Sequence, residues 1–315
     1  LSTQKRVIFA GAGHANIAAL RRLAKNPPNA ELILVNHGQR IWYTGALPAL
    51  IRGDITEDEA CLNAARLAKS CNAVFIDASL TSFDANRLTL DAYEIPFDIL
   101  AISTGAAPNG GPKPIPAFLA RLKTWDRTKT PAIGIIGAGA AGVELALAIR
   151  HRLGAKAEIT LQAHNNTVLP GAPTSAQKQA SRALAKAQIP IATALPPYIT
   201  DPIHAYTPTP TIKIRRTLQL TTHDNILATG DCAAFPTPIP RSGAIAVCQG
   251  RTLATNICAL LANKPTRPFH PPSATLAILS LNADRATAWY GPISWTGSLP
   301  MTLKSRFDAR WLEGG

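Results

Sequence analysis

The sequence has no uninterrupted apolar run of the roughly 18 residues needed to cross a bilayer. Its first six residues, LSTQKR, lead straight into an apolar strand rather than into the hydrophobic core of a signal peptide. The expectation is a cytoplasmic chain, soluble or attached peripherally to the inner face of a membrane. Cysteine is scarce. The five cysteines, at 61, 71, 232, 248 and 258, form no C-x-x-C pair and have no histidines at metal-ligand spacing beside them. That pattern argues for reduced cytosolic thiols and for no metal site. Acidic residues are few as well, 19 against 32 Lys plus Arg, for a formal net charge of +13. Such a chain is drawn to polyanions. The basic residues are scattered along helical stretches, not gathered in blocks interleaved with aromatics, which argues against nucleic acid. An anionic membrane surface or an anionic cofactor fits the distribution better; a generally basic surface fits it equally.

What is present is a chain of 315 residues, 46% hydrophobic, large enough for two domains with substantial cores. It opens with an apolar strand (6–10), a glycine turn, an amphipathic helix (15–25), the breaker NPPNA and a second strand, ELILVN. Strand, loop, helix and strand at this spacing make a parallel crossover. The pattern restarts near residue 131 in AIGIIGAGAAGVELALAIRHRLGAKAEITLQ. One supersecondary motif therefore occurs twice, which says more than either copy alone. Between the copies lie a strand, a turn and a buried strand ending at Thr104-Gly105. After the second copy come an alanine-rich helix near 174–187, a strand IPIAT and a Pro/Thr-rich stretch whose prolines argue against central strands. A buried strand ending in Gly230-Asp231 and a long helix near 242–262, with Ser242 as its natural cap, follow.

A strand-to-helix turn with glycines at these positions lets backbone amides meet a pyrophosphate at the helix N-terminus. The second loop has all three glycines, Gly137, Gly139 and Gly142; the first has Gly11 and Gly13 but Asn16 in the third slot. Asn16 implies a helix set somewhat away from its strand. About 20 residues past each loop, where an acid commonly takes the ribose hydroxyls, the count reaches Asn36 and Gln162. Both are amides, so the sequence leaves NAD against NADP open. Asp231, ending a buried strand, needs a hydroxyl-rich or basic partner, or else serves as a cap for the following turn.

GAGHA at 11–15, FDILAISTGAAP at 97–108, GAGAAGVE at 137–144 and NILATGDCA at 225–233 together resemble the two-dinucleotide flavoproteins of the pyridine nucleotide-disulfide oxidoreductase superfamily. WYTGALPALIRGD at 42–54, PRSGAIAVCQG at 240–250 and LKSRFDARW at 303–311 resemble its type II NADH dehydrogenase-like branch, including the flavoprotein domain fused to selenide, water dikinase. The resemblance implies an α/β fold with two Rossmann-like domains, the first for FAD and the second for NAD(P)H. It implies that Gly11, Gly13, His14, Ala15, Asn36, Thr104, Gly105, Gly230 and Asp231 serve FAD, with Asp231 on the ribityl chain. Gly137, Gly139, Gly142, Glu144 and Gln162 would serve NAD(P)H, Glu144 either meeting the nicotinamide ribose or facing solvent. Tyr43, Thr44, Pro48 and Gln249 would surround the flavin, with the 242–262 helix aimed at its pyrimidine edge. The implied activity passes hydride from NAD(P)H to flavin and electrons on to a quinone-like acceptor.

Residues 38–54 contain no cysteine, which excludes the redox-disulfide chemistry of glutathione reductase-type relatives. Cys248, with Cys232 as the nearest sensible second thiol, leaves a sulfide- or selenium-linked oxidation as an alternative. Only about 35 residues separate IPIAT from NILATGD, so the second domain is abbreviated. That motivates another alternative, a flavin-binding redox partner or sensor without efficient NAD(P)H turnover. The expected division is an FAD domain of 1–125 and 222–270, a shortened NAD(P)-like domain of 126–221 and a C-terminal segment, 271–315. In that segment Trp289, Tyr290, Trp295 and Trp311 mix with Lys304, Arg306 and Arg310, the composition of a piece lying among lipid headgroups or packing on the FAD domain.

Overall fold

The computed structural model describes residues 4–91, 93–106 and 110–313; the opening LST and the Ala107-Pro108 end of the FDILAISTGAAP stretch lie outside them. The chain runs β1 (Lys5–Ala10), α1 (His14–Leu23), β2 (Ala30–Asn36), β3 (Arg40–Trp42), α2 (Leu47–Arg52), β4 (Cys61–Asn63), α3 (Ala64–Ser70), β5 (Ala73–Asp77), β6 (Leu80–Phe83), β7 (Arg87–Leu90), β8 (Glu94–Pro96), β9 (Ile99–Ile102) and α4 (Ile115–Arg127). It restarts with β10 (Ala132–Ile136), α5 (Ala140–Leu153), β11 (Glu158–Gln162), α6 (Thr174–Lys186), β12 (Ile191–Ala192), β13 (Ile203–His204), β14 (Ile212–Lys213), β15 (Ile226–Ala228), β16 (Ala233–Ala234) and α7 (Gly243–Leu261). β17 (Ala277–Ser280), β18 (Ala286–Tyr290), β19 (Ile293–Gly297) and α8 (Ser298–Glu313) complete it.

Apolar runs buried on both faces give parallel strands: Val7, Ile8, Phe9 and Ala10 of β1 are all fully buried. β1 is the third of five parallel strands in the order β5-β2-β1-β9-β15. The strand order reverses at β1, which opens a crevice beyond its carboxyl end. The second unit repeats the plan with four parallel strands, β12-β11-β10-β13. Its fourth strand, Ile203–His204, comes from the Pro/Thr-rich stretch expected to be irregular; two residues at a sheet edge are what the flanking prolines permit. The abbreviation lies here. In the first unit the antiparallel meander β6-β7-β8 stands between β5 and β9, whereas ten residues, 193–202, join β12 to β13.

Each sheet has its own core, and packing crosses the expected boundaries at 125 and 222. Leu47, Leu50 and Ile51 of α2 and Ile115 and Phe118 of α4 pack in the second core, while Ile214, Leu218 and Leu220 pack in the first. The C-terminal residues form a further antiparallel sheet, β17-β18-β19, backed by α8. Leu279 and Trp289 of that sheet pack on the second core; Trp311 and Leu312 of α8 pack on the first. The tail is therefore a bridge between units. α7 is the one helix among the described residues long and apolar enough to cross a membrane, with a mean hydropathy of 1.3 over 18 residues. It lies against α1 at a close crossing, where a Cβ on Gly250 would stand 2.5 Å from the Ala15 carbonyl oxygen.

Candidate functional site

At the first loop the strand exit of β9 closes on the glycines. Gly13 donates its N–H to the Ser103 carbonyl at 3.0 Å, and a Cβ at Gly13 would collide with both that oxygen and Ser103 Oγ. The amides of His14, Ala15 and Asn16 then open α1 without intrahelical acceptors, a ready anion cradle. Asn16 is fully buried, and its Nδ2 donates to Gly11 O (2.8 Å), Ala101 O (3.0 Å) and Ala10 O (3.3 Å). In the second loop the equivalent Gly142 lies so close to Gly137 O that a Cβ there would collide with it. α1 thus stands further from its loop than α5 does, as Asn16 required, and the amide nitrogen of Asn16 bridges the space with hydrogen bonds.

The N-termini of α1 and α7 converge. A Cβ at Gly243 would lie 3.4 Å from the His14 ring, and Ser242 caps α7 by accepting the Ile245 N–H at 3.3 Å. Two positive helix ends therefore face one crevice. Asp231 follows Gly230 in the turn after β15, and the Gly230 N–H is held by Gln249 Oε1 at 2.7 Å. Gln249 is 2% exposed. Its Oε1 is engaged by that turn, so it helps position Asp231 while also lining the cavity beside it. Pro48 is likewise buried at the start of α2, while Thr44 stands in the short turn before it. A cavity of about 320 Å³ is lined by Gly230, Asp231 and Ser242 together with Phe235, Pro238 and Ile239.

The C-terminal helix supplies residues that the loop motifs do not reveal. Lys304, 9% exposed, donates to Gly45 O at 2.7 Å and to Asp308 Oδ2 at 2.6 Å. Tyr43 donates its hydroxyl to Asp308 Oδ1 at 2.8 Å, and burial next to that carboxylate holds the phenol pKa well above its ordinary value. Trp311 stacks on His14 with centroids 4.9 Å apart, Tyr43 tilts against the same imidazole at 5.7 Å, and Arg21 lies over the Trp311 ring. Burial, with the Lys113 charge adding to it, lowers the His14 pKa to about 4. Glu144 is half-buried: its Oε1 accepts the Ser280 N–H at 2.8 Å, and burial raises its carboxyl pKa against the pull of Lys304. Lys304 and Asp308 stand four apart in LKSRFDARW, a spacing that puts them on one helix face; that was the available signal.

Strand register corrects the ribose position of the second unit. Ala10 pairs with Val35 in the first sheet, but Ile136, one motif later, pairs with Gln162. Gln162 thus stands where Val35 does, and buried Ala163 stands where Asn36 does. The stretch from loop to second strand is one residue longer in the second copy, which counting from the loop misses. Gln162 spends its Nε2 on Thr193 O at 3.0 Å, while Asn36 Oδ1 accepts the Ala12 N–H of the first loop at 3.2 Å. Cys232 is buried with its Sγ donating to Thr229 O at 3.2 Å, and burial raises its thiol pKa. It is poorly placed to support Cys248 in thiol chemistry.

Two Rossmann-like units, each opening on a glycine loop, define a class of dinucleotide-handling oxidoreductases. Residues 5–195 match the family described as pyridine nucleotide-disulphide oxidoreductase, and the chain belongs to that family. FAD and NAD(P)H are its cofactor pair, and the collared first loop and converging helix ends fit the first of them. Among solved structures, the chain is similar to the sulfide:quinone oxidoreductase of the hyperthermophilic bacterium Aquifex aeolicus, at 18% identity over 98% of this chain and 90% of that one, with a TM-score of 0.78. It is similar to NDH2 of Plasmodium falciparum in complex with NADH, at 12% identity over 98% and 97% of the two chains, TM-score 0.78. The NADH:rubredoxin oxidoreductase of Clostridium acetobutylicum aligns at 20% identity over 97% and 95%, TM-score 0.67. At such identities the likeness establishes the fold. No curated protein matches the sequence.

Proposed function

We propose that the protein is an FAD-dependent NAD(P)H:acceptor oxidoreductase whose acceptor is a small quinone-like molecule. Bound FAD supplies a two-electron carrier that takes hydride from NAD(P)H and returns electrons to the acceptor. Residues 1–125 and 222–270 contribute the FAD side, 126–221 the nicotinamide side, and 271–315 the bridge. Gly11, Gly13 and the amides of His14 and Ala15 hold the pyrophosphate, with Asn36 and Thr104-Gly105 beside it. Asp231 takes the ribityl hydroxyls, and the capped end of α7 favours negative charge on the ring. The observation that carries the flavin is the cavity itself, polar at Asp231 and Ser242 and apolar at Phe235, Pro238 and Ile239, a lining that suits a flat ring with few polar groups. No cysteine in residues 38–54 intervenes.

Anaerobic addition of NADH and of NADPH to the purified yellow protein should bleach its flavin absorbance with at least one of them, and a short-chain quinone should then restore the colour. Persistence of the flavin band with both nucleotides would remove this reading. It would leave the second, a flavin-binding redox partner or sensor, which Ala163 at the ribose position and the four-stranded second sheet favour. Contact with an anionic membrane would use only part of the expected set: Tyr290, Trp295, Arg306 and Arg310 are exposed, as are Ile293 and Leu299, whereas Trp289, Trp311 and Lys304 turn inward.

A further inference from the structure

The two units are copies, so each position at one loop has a counterpart at the other. The Ser103 N–H pairs with Ala10 O as the Ala205 N–H pairs with Ile136 O, both at 2.9 Å. A Cβ at Gly11 would meet Ser103 O at 2.8 Å and Thr104 Cα at 3.0 Å; one at Gly137 would meet Ala205 O at 3.1 Å and Tyr206 Cβ at 3.7 Å. Tyr206 therefore occupies at the second loop the place that Thr104 occupies at the first. A small residue at one dinucleotide crevice has become an aromatic ring at the other.

That ring is 49% exposed. His204 Nδ1 lies 3.2 Å from its hydroxyl, the two rings being tilted with centroids 5.6 Å apart. The next two residues are gripped from the first unit: the Arg241 guanidinium donates to Thr207 O at 3.1 Å and to Pro208 O. Arg241 immediately precedes Ser242, the cap of α7. Tyr206 thus stands between the second glycine loop and the helix end aimed at the flavin crevice, with its backbone pinned on both sides. In a parallel sheet the dinucleotide lies across the switch point, its adenosine toward the second strand and its nicotinamide toward the fourth; β13 is the fourth strand of this sheet. A half-exposed ring held there gains most from a second flat ring laid on it.

Resting on the nicotinamide reading above, we propose that Tyr206 is the ring on which the nicotinamide of the second-loop dinucleotide stacks, and that it fixes how that ring approaches the flavin. The test is binding, read by quenching of tryptophan fluorescence in the FAD-loaded protein titrated with NADH, NADPH and ADP-ribose, which lacks the nicotinamide. Tyr206→Ala should weaken the nicotinamide nucleotide that the protein binds about three- to tenfold, the size of one ring–ring contact. ADP-ribose affinity and FAD content should stay as they are, and Tyr206→Phe should keep the wild-type affinity. Equal weakening of ADP-ribose, unchanged affinity, tighter binding in Tyr206→Ala, or no nucleotide binding by the wild type would each overturn the proposal. Ring-dependent binding without bleaching of the flavin would sustain it while removing the turnover assigned above.

Discussion

The two dinucleotide units make opposite compromises. The first has a loop that departs from the glycine pattern but sits in five parallel strands, collared by Ser103, stitched by Asn16 and closed over by α8. The second has every glycine, yet only four strands, an alanine at the ribose position and a tyrosine at the crevice mouth. A motif measures whether a backbone turn can form; what the turn can hold depends on the strand ends around it, which come from far along the chain.

The largest test of this contrast substitutes one glycine in each loop. Gly13→Ala drives a methyl into Ser103 and should weaken FAD retention on the order of a hundredfold, since overpacking costs up to about 3 kcal/mol; flavin absorbance per protein reads it. Gly142→Ala collides with Gly137 O and should abolish flavin bleaching by NAD(P)H while flavin content stays near wild type. Loss of flavin in both variants would show that the units do not act separately. Next in size, Lys304→Met leaves Asp308 and Glu144 without their cation; breaking a pair whose side chains are 11% and 20% exposed should lower the unfolding free energy by about 3 kcal/mol, measured by urea melts.

His14 gives a pH signature to the first unit. Folding holds its imidazole neutral down to about pH 4, whereas the unfolded chain protonates near pH 6.5. The unfolded state binds more protons across that window, so stability falls as pH drops from 6.5 to 4. His14→Gln should flatten the urea midpoint over the same range; parallel curves would assign the effect elsewhere. The smallest expected effect sharpens the ribose comparison. Asn36→Ala removes the acceptor for the Ala12 N–H and should weaken FAD by about 1 kcal/mol, roughly fivefold, while Gln162→Ala should leave NAD(P)H half-saturation within about twofold.

The doubled crossover, both loops, the Ser242 cap and the shortened second unit were legible because they rest on local pattern: apolar strands, glycines and cap residues within a few positions. Asn16 as a stitch was not, because its partners include Ala101, 85 residues away. Counting misplaced the second ribose position by one, since loop length between helix and strand leaves no periodic trace. Gln249 was placed beside the flavin by resemblance, and its second role, holding the Gly230 N–H, left no mark in the sequence. Lys304 and Asp308 sit in a stretch that sequence marked as distinctive without saying what it met; their partners Gly45 and Tyr43 lie more than 250 residues earlier.

The bridge made by α8 also sets an order of events during synthesis. Chains fold from the N-terminus as they emerge, so the first glycine loop is exposed early, but its sheet lacks β15 until residue 228 has been made. His14 and Tyr43 lack Trp311 and Asp308 for some eighty residues more. A nascent chain therefore presents an anion cradle long before it can enclose anything in it. Cofactor loading belongs to the last moments of synthesis or after release, and a chain cut before residue 304 would emerge with its flavin site formed in outline and without a lock.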